Sequence, residues 1–74
     1  SENDSGSFVK EDDYFIFKID GNLSSYYFKY SDETIIDGVS YRTLTYDLTK
    51  SIINDNDVSK IIIEDGTVFK QIKK

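Results

Sequence analysis

The sequence predicts an α+β domain that is mainly β: an antiparallel sheet of hairpins with one short helix near residues 45–54. Three observations carry this. Aromatic and β-branched residues gather in short runs, at Tyr14–Ile19, 23–30, 58–64 and Val68–Ile72. Asp-Gly pairs at 20–21, 37–38 and 65–66 punctuate those runs, and Gly and Asp accept the backbone conformations that tight hairpins need. One stretch, around Tyr41, Leu44, Leu48 and Ile52, spaces its apolar residues as a helix would, while Arg42, Leu44, Tyr46 and Leu48 there alternate as in a strand.

Residues 1–7 are small and polar, which predicts a disordered tether followed by a single small β-rich domain over 8–74. In the first hairpin, Tyr14–Ile19 faces residues 23–30 across Asp20-Gly21-Asn22. Placing the loop at Gly21-Asn22 sets Phe17 against Tyr26 and Phe15 against Phe28, so those rings share one face with Ile19 as the core side. The opposite face then pairs Ile16 with Tyr27 and Tyr14 with Lys29. Residues 35–41 predict a short hairpin about Asp37-Gly38. From Val39 to about Thr43 a strand is expected, then the helix, closed by Asn54-Asp55-Asn56-Asp57 as a loop. Residues 58–64 and 67–72 predict a last hairpin about Asp65-Gly66. The run Ile61-Ile62-Ile63 is apolar on both sides, as in a central strand. This element order is shared with β-grasp folds. The alternative is an all-β SH3-like small barrel in which 45–57 is a loop.

A chain of 74 residues allows one domain. Small domains often add disulfides or a structural metal, but there is no Cys, His or Met here, so disulfides and Cys/His zinc frameworks are excluded. Packing must hold the core, and six Tyr and five Phe supply much of it. No apolar run approaches a membrane span, so a soluble domain is expected. The absence of Ala and Pro, with abundant Ile, Lys, Asn and Tyr, reads as AT-rich coding and suggests a low-GC bacterial or phage origin.

The net charge is −5, unevenly spread. Residues 1–37 carry three lysines against nine acids, a balance of −6, whereas 38–74 balance at +1. Nucleic-acid binding needs a concentrated basic footprint, and the Lys70, Lys73, Lys74 cluster is too short to supply one. Nucleic acid is therefore not an expected partner. Without His or Cys, and without Gly-x-Ser-x-Gly or a phosphate-binding loop, the chain is not expected to be an enzyme. Asp55-Asn56-Asp57 opens like a calcium loop, but the sixth and twelfth loop positions hold Lys60 and Gly66, where the pattern wants Gly and Glu. No metal and no cofactor are expected.

What remains is a small interaction module whose partner is another protein. Its candidate surface is the outward row Tyr14, Ile16 and Tyr27 with Lys29, because Tyr gives large contact area at low entropic cost. One alternative is an acidic phage-type inhibitor that mimics nucleic acid, motivated by the charge of the first half. Another is a structural domain of a larger assembly.

Overall fold

A computed structural model describes residues 5–72. Six strands form one antiparallel sheet: β1 (Gly6–Glu11), β2 (Tyr14–Ile19), β3 (Tyr26–Tyr30), β4 (Thr34–Ile36), β5 (Val39–Tyr46) and β6 (Val68–Ile72). The sheet of hairpins is as the sequence predicts, and it curves into a half-barrel.

β2 and β3 pair in the expected register, with Phe17 opposite Tyr26, Phe15 opposite Phe28, Ile16 opposite Tyr27 and Tyr14 opposite Lys29. Ahead of them lies a strand that composition conceals. β1 pairs with β2 along its whole length and takes in Gly6 and Ser7, which the sequence assigns to the tether. Residues 1–4 of that tether, and Lys73 and Lys74 of the basic cluster, lie outside the described residues.

β3 and β4 share one edge of β5, while β6 takes the other. Tyr30 lies opposite Leu44 and Thr34 opposite Tyr41, so four steps along one side match three along the other. The extra residue is a β-bulge. The Ser31 amide still donates to the Thr43 carbonyl at 3.0 Å, and the Ser31 and Thr43 hydroxyls bond each other there.

The hairpin between β4 and β5 is the two-residue Asp37-Gly38 loop expected. Asp37 and Gly38 both adopt positive φ, at 53° and 79°, as a type I′ turn requires. Asp65-Gly66 behaves differently. Only Gly66 has positive φ, as in a type II turn, and the Thr67 amide closes the turn on the Glu64 carbonyl at 3.1 Å. Type II turns splay flanking strands, and the predicted last hairpin does not form. Residues 58–64 are irregular, and β6 pairs with β5 instead.

The predicted helix near 45–54 is also absent; the described residues contain none. Strand β5 continues to Tyr46, and a single turn follows. The Asp47 carboxylate accepts from the Thr49 hydroxyl at 2.7 Å and the Lys50 amide at 3.1 Å, and the Ser51 amide reaches the Asp47 carbonyl at 3.2 Å. This is how a capped helix begins. It stops because the chain returns to the sheet: Ser25 and Ile52 exchange both backbone bonds, at 2.7 and 2.9 Å. Two ladder bonds to a buried strand end outweigh the weak helix propensity of this Thr-, Ser- and Asn-rich stretch.

The concave face carries the core. Tyr26, Phe28 and Tyr46 are buried, and Phe15, Phe17, Leu44, Ile61 and Ile63 pack against them. Tyr26 anchors the irregular segment, since its hydroxyl accepts from the Ile61 amide at 3.1 Å. Asp57 clamps the same region to the β2–β3 loop. Its carboxylate accepts from the Leu23 and Ser24 amides, each at 2.8 Å, and the Leu23 bond leads the causes that hold its pKa below the ordinary value. Asp57 is thus a loop clamp. The face stays open at one side, where Phe8 is 55% and Phe69 46% exposed.

Candidate functional site

The convex face carries the predicted surface. Side chains alternate along a strand, so Tyr14 and Ile16 of β2 point the same way as Tyr27 and Lys29 of β3, to which the register joins them. The Tyr14 and Tyr27 rings meet edge to face, with centroids 5.8 Å apart. Lys29 Nζ lies 5.3 Å from the Tyr14 centroid. It also faces the Asp13 carboxylate at 3.9 Å, a contact between largely exposed groups that contributes little to stability.

Ile16 belongs to this row but not to its accessible part. It is only 7% exposed. Val9 of β1 and Ile52 of the returning chain stand with it along a groove of about 350 Å³ that also meets Lys18 and Tyr27. Ile16 therefore supports the row from beneath, which corrects its expected place as a contact residue.

Two further residues complete the surface. Lys50 Nζ sits 5.0 Å from the Tyr14 centroid and 5.4 Å from that of Tyr27, so both rings share one ammonium group. Asp47 puts it there, because its carboxylate fixes the turn that carries Lys50. The same carboxylate accepts the Tyr14 hydroxyl at 3.2 Å. These contacts leave their mark on proton affinity. Loss of solvent, then the hydrogen bond and charge of Asp47, raise the Tyr14 phenol above its ordinary value. The Thr49 hydroxyl is the largest of the causes that lower the Asp47 carboxyl. Asp47-Leu48-Thr49-Lys50 does carry a readable signal, a capping aspartate followed by its donors. That signal fits a helix start equally well and does not say which rings Lys50 will cover.

The patch is aromatic and cationic: the buttressed turn holds Lys50 against both phenol rings, and Lys29 of β3 lies against Tyr14. Among the described residues, no group of three or more acidic side chains converges as a metal site would. No described helix is long and apolar enough to cross a membrane. Comparison of the chain with protein-family models, curated proteins and solved structures finds no match.

Proposed function

We propose that this chain is a non-enzymatic protein-binding module that engages its partner through Tyr14, Tyr27, Lys29 and Lys50. The observation that carries the reading is the order of this patch before any partner arrives. Tyr14 is held by Asp47, and Lys50 is held over both rings by the turn that Asp47 caps. Pre-ordering reduces the entropy lost on binding. The acidic-mimic alternative draws less support, because in the acidic first half Glu33 accepts the Ser40 hydroxyl and Asp13 faces Lys29.

The test is affinity capture with the folded chain beside a Tyr14→Ala/Tyr27→Ala double variant of unchanged far-UV circular dichroism. The expected result is a protein retained by the parent and bound about tenfold or more weakly by the variant. Equal retention by both removes this patch. A partner lost steeply with rising salt and indifferent to the tyrosines would favour the acidic mimic.

A further inference from the structure

The opposite, concave face holds a second cluster. Arg42 of β5 places its guanidinium carbon 5.0 Å from the Tyr30 centroid, and Lys10 of β1 places Nζ 5.3 Å from the same centroid. Arg42 is half-buried. Its Nε is enclosed by protein and finds no acceptor, and neither cation pairs with a carboxylate among the described residues. Nearby acids are engaged elsewhere: Glu33 accepts the Ser40 hydroxyl at 2.6 Å, and Asp13 faces Lys29 on the convex side. In a chain of net charge −5, two cations thus converge on one ring beside an enclosed donor. Enclosure keeps that nitrogen from a ligand, so an incoming carboxylate would pair with the outer nitrogens of the guanidinium and with the Lys10 ammonium, which otherwise donates to the Asp12 carbonyl at 3.0 Å.

Beside this cluster is a cavity of about 220 Å³ lined by Phe8, Phe15, Leu44 and Gln71. It is smaller than the sites that enclose drug-sized ligands, about 300 Å³ and upward, and suits a single side chain. The rims repeat one pattern. Phe8 precedes Lys10 by two residues on β1, and Leu44 follows Arg42 by two on β5, where Gln71 of β6 lies opposite Arg42. Two residues along a strand is one step of the same face, about 6.5–7 Å. Beyond the rims, the outer edges of β1 and β6 pair with no strand among the described residues.

From this geometry we infer that the open mouth of the half-barrel binds an extended peptide segment of a partner protein, with an apolar residue and, two residues along, an Asp or Glu. The apolar side chain fills the cavity between Phe8 and Leu44. The carboxylate lies between Arg42 and Lys10 beside Tyr30. The peptide backbone runs along a free strand edge, as in strand addition. The site lies on the face opposite Tyr14 and Tyr27 and does not depend on that patch.

The experiment is an array of acetylated, amidated heptapeptides with varied flanks around Leu-Thr-Glu, Leu-Thr-Gln or Ser-Thr-Glu, probed with the full chain. Sodium hexanoate serves as a soluble competitor. The expected result is retention on Leu-Thr-Glu members about tenfold above either control centre. Arg42→Gln, and separately the exposed Lys10→Gln, should remove the preference for Glu over Gln, in variants whose amide NMR spectra show the parent fold. The Tyr14→Ala/Tyr27→Ala variant should keep the preference. No enrichment of Leu-Thr-Glu, or a preference indifferent to both charge variants, would overturn the inference. So would displacement by hexanoate at the concentration of an equivalent peptide, because the backbone would then contribute nothing.

Discussion

Tyr26→Phe removes one oxygen atom from the centre of the core and tests what fixes residues 58–64. The ring is fully buried, and its hydroxyl accepts the Ile61 amide at 3.1 Å. Phe fills the same space, so packing changes little, but the Ile61 N–H loses its acceptor. A buried donor left unsatisfied costs about 1–3 kcal/mol, and the partial burial of this one argues for the lower half, about 1–2 kcal/mol. With a urea dependence near 1 kcal/mol per molar for a chain this small, the unfolding midpoint should fall by about 1–2 M. The melting temperature should fall by about 4–8 °C for each kcal/mol. Amide hydrogen exchange localises the effect, since Ile61 should lose protection ahead of Phe28 and Tyr46 in the strands. Tyr46→Phe is the control. That ring is also buried, but its hydroxyl forms no hydrogen bond among the described residues, so its removal should cost less than about 0.5 kcal/mol. Equal costs for the two variants, or an unchanged exchange rate at Ile61, would refute the reasoning.

Acid should unfold the chain through its loop clamps. Asp47 and Asp57 have depressed carboxyl pKa values, so the unfolded chain takes up protons first, and their stabilisation, present above the ordinary value of 3.8, is lost as pH falls through the folded values. Melting temperatures should therefore drop below about pH 4, and Asp57→Asn should flatten that drop, as thermal scans across the acid range would show. At the β4–β5 turn, Gly38→Ala meets open space but keeps a φ of 79°, so it should destabilise by about 1–2 kcal/mol through backbone strain alone, measured by urea unfolding.

Local pairing was legible in the sequence, and distant pairing was not. The aromatic spacing showed the register that sets Phe15 and Phe17 against Phe28 and Tyr26, but not the turn: the Asn22 amide closes on the Ile19 carbonyl about Asp20-Gly21, not Gly21-Asn22, and the β2–β3 ladder begins only at Tyr26. Asp37-Gly38 has the composition of a type I′ turn. Asp65-Gly66 has the same composition, but the dipeptide does not report whether its aspartate takes positive φ, and that choice separates a hairpin from a splayed turn. The partner of β6 is β5, some 25 residues away across an irregular segment, and no local pattern encodes it. β1 was hidden because Phe8 and Val9 stand among Glu, Asp and Lys, and its strand is exposed along its whole length. At the candidate site, alternation found Tyr14, Tyr27 and Lys29. It could not find that Val9 and Ile52 would enclose Ile16, since both arrive from outside the hairpin, nor that the Asp47 turn would lay Lys50 over the rings.

The bulge between β3 and β4 bears on how this chain can change in length. Before it, Tyr26, Phe28 and Tyr30 share the concave face; after it, Ile35 stands opposite Ser40, on the concave side of β5, so the inward positions pass from even to odd numbers. Loss of one codon at Asp32 or Glu33 would match the two sides step for step, straightening the ladder with Thr34 still opposite Tyr41 and the Asp37-Gly38 turn in place. Homologous chains one residue shorter here should therefore lose the bulge and keep the apolar pattern of the Thr34–Ile36 arm.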